Sequence, residues 1–181
     1  MRAYCLLRRS IYKSRNLPEK LIHPIKMRKT RFLIMSDTHN RPPFPATDTC
    51  HPYRHPLPAA DVLLHCGDLT MRGGLSEYQS TLRMLSSINA ELKLVIAGNH
   101  DRSLDEEYWK YERDSRGEDE GDYVEAIEMW KGTEAMEAGV TYLEEGVHEF
   151  VLKSGASLKV SCVCAFRFRG RMVFAVAVIW S

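Results

Sequence analysis

Three short polar segments hold the residues best suited to chemistry: Asp37-Thr38-His39, Gly67-Asp68 and Gly98-Asn99-His100-Asp101. Together they offer carboxylate, imidazole and amide groups, a mixture that suits divalent first-row metals. A lone Asp-x-His or Gly-Asp is usually part of an ordinary turn. Gly-Asn-His-Asp is rarer, and all three segments in this order favour one shared metal site over three unrelated turns.

Each polar segment follows an apolar run that predicts a buried strand. The runs cover residues 32–35, 61–66 and 92–97, and continuous apolar runs bounded by turn formers are typical of strands buried on both faces. Between the second and third runs, apolar residues every three or four positions from Leu75 to Ile88 predict a helix. Because the carboxyl ends of parallel strands meet at one sheet edge, we expect the three polar segments to converge there.

Local spacing supports the same interpretation. In an extended segment, Asp37 and His39 would point to the same side and could hold one ion. Gly67 and Gly98 would let the backbone turn sharply and bring the following side chain close to a metal. His65 lies inside the second apolar run, which favours a hydrogen-bonded core histidine over a ligand.

The three segments resemble the first three motifs of the calcineurin-like metallophosphoesterase superfamily, written D-x-H, G-D-x and G-N-H-D/E. Their wording is most similar to that of the small metallophosphoesterase-domain proteins of fungi, and the resemblance covers about residues 30–160. It implies an α/β fold, a four-layer αββα sandwich. It also implies two divalent metal ions, for which manganese, iron and zinc are chemically reasonable, and hydrolysis of small phosphomonoesters or phosphodiesters by a metal-activated water.

The resemblance also implies a role for each site residue. Asp37 and His39 would hold the first metal, Asp68 would bridge both metals, and Asn99 would hold the second. His100 would be catalytic, as proton donor or oxyanion stabiliser beside the phosphate. Asp101 would either orient His100 or simply cap the following segment.

The later part of the sequence departs from the family pattern, which needs three further histidine ligands. Only His148 follows Asp101, and its surroundings match neither expected segment. We therefore expect at most one bound ion and weak or absent activity, with a non-catalytic binding or scaffold protein as the alternative. We also expect the C-terminus to be truncated. The alternative is a genuinely shorter protein with a divergent final strand.

The segment around residue 160 marks the start of this divergence. Residues 150–152 and 158–160 predict a hairpin. The apolar, uncharged run over 172–180 has high β-propensity, and with nothing to cover it we expect it to pair with another chain. On this basis the second half of the sandwich would be incomplete.

Composition sets the remaining limits. The 181 residues include 25 Lys or Arg and 24 Asp or Glu, for a net charge of +1, which argues against a dedicated nucleic-acid binder. The longest apolar run, residues 173–180, is far shorter than the ~20 residues that span a bilayer. Five scattered cysteines without a secretory segment indicate reduced thiols and an intracellular, cytoplasmic protein.

The charge distribution divides the chain at residue 30. Residues 1–31 carry ten Lys or Arg and a single acid, Glu19, so residues 1–30 are interpreted as a basic, poorly ordered arm and 31–181 as the phosphoesterase domain. An arginine-rich, acid-poor start also resembles a mitochondrial targeting peptide, but Pro18 and Pro24 interrupt any long amphipathic helix. The sequence does not specify an oligomeric state.

Overall fold

The computed structural model describes residues 29–111, 120–168 and 171–180. The predicted basic arm falls almost entirely outside these residues. No helix in the described ranges combines the length and apolar character needed to cross a membrane. Cys50, Cys66 and Cys162 are free thiols.

A four-stranded parallel sheet is the centre of the fold. Its strands, in the spatial order β1-β2-β3-β4, are Phe32–Met35, Ala60–Cys66, Ala90–Ile96 and Val140–Tyr142. The first three are the apolar runs predicted as strands, to within two residues at each end. Ile34 lies opposite Leu64 and Leu64 opposite Leu94, so the carboxyl ends of β1, β2 and β3 are level with one another.

Helices cover one face of this sheet. They are α1 (Leu75–Ser86), α2 (Glu106–Tyr111), α3 (Glu120–Lys131) and α4 (Thr133–Glu137), with a 3₁₀ turn at Arg102–Leu104. Of the predicted periodic residues, Tyr78, Leu82 and Leu85 of α1 are buried in the core that joins the helices to the sheet, together with Trp130 of α3, and Leu75 packs against it. This burial confirms the helix predicted between the second and third strands.

A second sheet packs on the other face. It is antiparallel and consists of β5 (Gly146–Val151), β6 (Ser157–Phe168) and β7 (Arg171–Trp180) in that order. A separate apolar core lies between the two sheets, with Val62, Leu64, Leu94 and Ile96 on one side and residues of β6 on the other. The predicted hairpin over residues 150–160 is confirmed by the pairing of β5 with β6.

The two cores give a layered α/β architecture of helices, parallel sheet and antiparallel sheet, as expected for the resemblance. Within the described residues, no helix follows β4, so the outer face of the second sheet has no helical layer there. Ile34 of the edge strand β1 is 56% exposed. The fold class is therefore confirmed, and the described residues supply three of the four expected layers.

The premise that nothing pairs with the apolar run is wrong, whereas its pairing with another chain stays a prediction because β7 is the outer strand of its sheet. The apolar run over 172–180 is paired within the chain, because β7 runs antiparallel along β6 from Leu158 opposite Trp180 to Phe168 opposite Arg171. The sequence pattern reports a high tendency to form a strand but does not identify the partner, and β6 is long enough to provide one.

Candidate metal centre

The loops that follow β1 and β2 run side by side beyond the ends of the strands. The backbone N–H groups of Asp37, His39 and Asn40 donate to the carbonyls of Gly67, Asp68 and Leu69 at 3.1, 3.1 and 2.7 Å. These bonds bring the first two polar segments together at the carboxyl edge of the sheet. Convergence of the strand ends is thus as predicted.

The backbone of the first loop is not extended, which corrects the argument made from the spacing of Asp37 and His39. Asp37, His39 and Asn40 have φ values of 56°, 46° and 62°, and Asp68 has 52°. These values lie in the left-handed region that residues with a Cβ seldom adopt. The alternation of side chains along a strand therefore does not apply here, and Asp37 and His39 need not face one ion.

Two glycines let the second and third loops approach each other. A Cβ on Gly98 would lie 2.1 Å from the backbone nitrogen of Asp68 and 2.2 Å from its Oδ1. Gly67 has a φ of 92°, and a Cβ there would lie 2.8 Å from Cα of Gly98. The Asp68 carboxylate fits against this bare backbone and accepts the N–H of His100 at 3.1 Å.

Three side chains meet where these loops converge. One ligand atom from each of His39, Asp68 and His100 lies within 4.8 Å of the others, and all three side chains are half-buried. The two imidazole rings pack edge to face with centroids 4.7 Å apart. Two imidazoles and one carboxylate form a donor set that suits zinc, manganese or iron.

The hydrogen bonds of the two histidines leave their other ring nitrogens available. Nδ1 of His39 lies 3.0 Å from the carbonyl oxygen of Thr70, and Nδ1 of His100 lies 2.8 Å from that of Met71. A carbonyl can only accept, so Nδ1 carries the hydrogen on both rings and a neutral ring has its lone pair on Nε2. This is the usual arrangement of metal-binding histidines, and it makes the residues present a good fit to a divalent ion.

Asp101 holds the second and third loops together. Its side chain is 1% exposed and accepts the N–H groups of Leu69, Thr70 and Gly98 and the hydroxyl of Thr70 at 2.7–3.0 Å. Burial raises the pKa of Asp101 to about 6, although these hydrogen bonds favour the ionised form. The His100 ring is oriented by Met71, and no hydrogen bond from the Asp101 side chain caps the 3₁₀ turn that follows.

The other two predicted ligands lie at the exposed rim. Asp37 does not belong to the group of three ligand atoms, and its carboxylate accepts the hydroxyl of Ser36 at 2.5 Å. Asn99 is also exposed. The structure thus brings together His39 and Asp68 from the predicted ligand set and adds His100, which the resemblance implied as catalytic.

The other two histidines considered in the sequence, His65 and His148, lie outside the group of ligand atoms and make hydrogen bonds to other parts of the chain. His65 is 1% exposed, and its Nε2 lies 2.9 Å from the Thr38 hydroxyl, as expected for a core histidine. Burial lowers the pKa of His65 to about 4. His148 on β5 has its Nε2 3.0 Å from the carbonyl of Glu144.

Sequence reasoning missed the loop between β2 and α1. Its backbone carbonyls at Thr70 and Met71 orient both histidines, and Glu77 accepts three of its N–H groups. Main-chain carbonyls leave no mark in a sequence. Glu77 has only a weak signal in the sequence, because a capping box pairs such a glutamate with a Ser or Thr N-cap and here the N-cap is Gly74.

Comparisons with known proteins identify the family. The family model for calcineurin-like phosphoesterases matches residues 30–163. Human metallophosphoesterase domain-containing protein 1 is 42% identical over 79 residues, which make up 44% of this chain and 21% of the human protein, and the mouse protein of the same name matches equally.

A bacterial relative shares a shorter segment. The symmetrical bis(5'-nucleosyl)-tetraphosphatase of Xanthomonas axonopodis pv. citri is 51% identical over 47 residues, 26% of this chain and 14% of that protein. The chain therefore spans about a fifth of the length of the mammalian relatives and less of the bacterial one. Since the family match covers most of the sequence, from β1 into β6, the chain belongs to the calcineurin-like phosphoesterase family.

Proposed function

We propose that this chain binds a divalent metal ion at the carboxyl edge of its parallel sheet and hydrolyses a phosphoester with it. The observation that carries the proposal is the convergence of His39, Asp68 and His100, with both histidines bonded through Nδ1 to main-chain carbonyls. The substrate class is a small phosphomonoester or phosphodiester. The metal is manganese, iron or zinc.

When bound, a divalent ion supplies charge that polarises a phosphoryl oxygen and acidifies a water molecule. The chain's own residues prepare the site for it. His39 and Asp68 present a ring nitrogen and a carboxylate oxygen to the same point, and Gly98 lets the Asp68 carboxylate lie against the third loop. Asp101 fixes the second loop against the third.

His100 has two candidate roles in this proposal. As a third metal ligand it would use Nε2 directly, and as a general acid it would give a proton from Nε2 to the leaving group. The geometry favours the ligand role, because His100 belongs to the same group of ligand atoms as His39 and Asp68. Asp37 and Asn99 then complete the surroundings from the rim, as ligands to the same ion or to a weakly held second one.

His100→Ala separates these roles. We expect manganese to bind more weakly to this variant, by more than the ~10–100-fold that changes outside the ligand shell usually cost. Unchanged metal affinity with a lower turnover number would assign His100 as the general acid instead. Isothermal titration with manganese and a hydrolysis assay on the same preparation give the two values.

The number of bound ions follows from the number of ligands. In the described residues there is a single group of three His, Cys, Asp or Glu side chains placed to hold a metal. We therefore propose at most one tightly held ion per chain, which elemental analysis after dialysis measures. Two tightly held ions would contradict this proposal. One ion leaves either the attacking or the leaving oxygen without a cation, and the expected rate is correspondingly low.

The decisive experiment uses two matched substitutions on β2 and its following loop. Asp68→Asn removes the carboxylate of the site, whereas Asp61→Asn changes a half-buried carboxylate at the opposite end of β2, where it pairs with Arg31. We expect manganese-dependent hydrolysis of bis-p-nitrophenyl phosphate or p-nitrophenyl phosphate that Asp68→Asn abolishes and Asp61→Asn preserves. Since a relative's name refers to bis(5'-nucleosyl) tetraphosphates, diadenosine tetraphosphate is a third substrate to assay.

The alternative is a binding or scaffold protein that keeps the fold and one metal. In the same experiment, this alternative predicts that manganese binds and that binding is lost in Asp68→Asn. It also predicts that none of the three substrates is hydrolysed. Turnover that survives Asp68→Asn would contradict both proposals, since it would place the chemistry elsewhere.

A further inference from the structure

The loop between β2 and α1 sorts its backbone hydrogen bonds by direction, with the N–H groups on one side and the carbonyls on the other. Its N–H groups turn to two carboxylates: those of Leu69 and Thr70 donate to Asp101 at 3.0 and 2.9 Å, and those of Met71 and Arg72 donate to Glu77 at 3.2 and 3.1 Å.

Four successive carbonyls of the same loop, from Asp68 to Met71, accept hydrogen bonds from the first and third loops of the site. The carbonyls of Asp68 and Leu69 accept the backbone N–H groups of His39 and Asn40. Those of Thr70 and Met71 accept Nδ1–H of the His39 and His100 rings. The four successive peptides between Asp68 and Arg72 therefore point their donors to carboxylates and their acceptors to residues of the first and third loops.

The planarity of the peptide bond links these two sets of contacts. In a trans peptide, the carbonyl of one residue and the N–H of the next are rigidly held and point in opposite directions. The N–H of Met71 and the carbonyl of Thr70 belong to one peptide plane, and the N–H of Arg72 and the carbonyl of Met71 belong to the next. Whatever holds the two N–H groups thereby sets the direction of the two carbonyls that bind the histidine rings.

We propose that Glu77 is a positioning residue for the metal centre, acting through these two peptides on the rings of His39 and His100. Its Oε1 accepts the backbone N–H of Met71 and its Oε2 accepts that of Arg72. One carboxylate therefore fixes both peptide planes that carry the histidine-binding carbonyls. The result is the Nδ1–H form of both imidazoles, in which Nε2 would be free to bind the ion. This role rests on the proposed metal-binding function of the site.

Glu77 also has an ordinary structural role, from which the proposal must be separated. It lies in the first turn of α1 and accepts the N–H of the N-cap residue Gly74 at 3.2 Å. A residue that only capped the helix would change stability and leave the histidine tautomers untouched. The tautomers are therefore the measurement that distinguishes the two roles.

The experiment records ¹⁵N spectra of the histidine rings in the metal-free full chain. At about pH 8.5 an unperturbed imidazole is neutral, and free histidine in water favours the hydrogen on Nε2. We expect His39 and His100 in the wild-type chain to carry it on Nδ1. In Glu77→Gln, where an NH₂ group replaces one acceptor oxygen, we expect one or both rings to become mixtures of tautomers.

The matched control is Glu125→Gln, which removes the same charge from an exposed position on α3 and should leave both tautomers unchanged. If Glu77→Gln does not fold, Glu77→Asp tests the same point, because its shorter side chain reaches fewer of the three N–H groups. Nε2–H rings in the wild-type chain, or folded Glu77 variants with unchanged rings, would overturn the proposal.

Manganese titration adds a second readout and separates this proposal from the previous one. We expect Glu77→Gln to weaken manganese binding ~10–100-fold, the usual effect of residues that orient metal ligands, and Glu125→Gln to have no effect. If the tautomers depend on Glu77 but no substrate is hydrolysed, the positioning role stands and the phosphoesterase proposal fails. If hydrolysis occurs while Glu77→Gln changes neither tautomers nor affinity, the positioning role fails alone.

Discussion

At the scale of single residues, the site depends on groups buried beneath it as much as on the ligands. His65 supports the first loop through its contact with the hydroxyl of Thr38, which lies between Asp37 and His39. Its Nδ1 is buried without a hydrogen-bond partner, so the environment around it is arranged for a neutral ring. This makes the stability of the fold sensitive to pH.

The pH dependence of His65 has a definite sign. Its pKa is about 4 in the folded chain against 6.5 for the unperturbed group. Above pH 6.5 the ring is neutral in both states and contributes nothing. As the pH falls from 6.5 towards 4, the unfolded chain binds a proton that the folded chain does not, so the free energy of unfolding decreases. Asp101 acts in the opposite direction between pH 3.8 and about 6, because its folded pKa is raised.

Comparison with a His65→Gln variant isolates this contribution from that of Asp101. We expect the metal-free wild-type chain to lose about 2 kcal/mol more stability than His65→Gln between about pH 7.5 and pH 5. Urea unfolding at the two pH values measures the difference. The exposed His51→Gln should behave like the wild type, and equal losses in His65→Gln and wild type would show that His65 is not the responsible group.

Gly98 is the residue whose replacement should damage the site most directly. A Cβ at this position overlaps the backbone and carboxylate of Asp68, and overpacking of this kind costs about 1–3 kcal/mol. We expect Gly98→Ala to displace Asp68 and weaken manganese binding at least about tenfold, comparable with the loss of an orienting group. Calorimetric titration with manganese measures it.

Gly74→Ala is the matched control, because a Cβ there meets nothing closer than 3.6 Å. Its manganese affinity should equal that of the wild type. Equal affinities for Gly98→Ala and the wild type would mean that the close approach of the second and third loops is not needed to hold the ion.

At the scale of secondary-structure elements, a buried lysine joins two helices to the sheet. Lys93 of β3 is 7% exposed, and burial lowers its pKa. Its ammonium donates to the carbonyls of Ser86, at the end of α1, and Ala138, just after α4, at 3.1 and 3.2 Å. A cation at two helix C-termini satisfies carbonyls that have no partner within their helices and matches the helix dipoles.

Lys93→Met should therefore destabilise the fold even though it removes a buried charge. We expect a loss of about 1–3 kcal/mol, the cost of leaving buried polar groups without a partner. The exposed Lys153→Met should change stability little. The midpoints of urea unfolding for the two variants and the wild type give the comparison, and a Lys93→Met variant as stable as Lys153→Met would show that the two helix ends do not need this contact.

At the scale of the whole molecule, the parallel sheet lies between two apolar cores. The loops that form the site follow its strands at the carboxyl edge of the sheet. The second sheet covers β2 and β3 through the core that contains Leu64 and Leu94. β7 forms the outer strand of that sheet and pairs with β6 along its length. Its removal would leave the edge of β6 unpaired.

Deletion of residues 171–181 should consequently lower both stability and solubility. β7 is itself an edge strand, so the deletion moves the sheet edge to β6, but it also removes the backbone pairing along β6. The less stable chain then exposes unpaired strands more often, and such strands are templates for pairing with other chains. Val178→Pro, which removes one amide from the strand facing Val160, should have the same effect to a smaller degree. The soluble fraction and size-exclusion profile are the measurements. Higher solubility after the deletion would contradict this prediction and support the expectation drawn from the sequence, in which the run pairs with another chain.

The sequence by itself determined the elements that carry the site. The runs ending at Met35, Cys66 and Ala97, and the periodic residues from Leu75, correctly predicted the first three strands and α1, because apolar pattern reports burial. Motif order and the convergence of parallel strand ends then predicted a metal centre there with Asp37, His39, Asp68 and Asn99 as ligands, of which His39 and Asp68 lie in the group of ligand atoms. The same pattern identified His65 as a core histidine.

Only the tertiary structure decided which side chains meet and what holds them. The left-handed backbone at Asp37 and His39 removed the alternation on which their pairing relied, and the loop after β2 brought His100 into the group. The carbonyls of Thr70 and Met71 that orient the rings belong to the main chain, and β7 found its partner in β6 through hydrogen bonds between backbones. Such contacts are set by φ and ψ angles in loops and by peptide planes, which depend on the folded surroundings and leave no signature in the order of side chains.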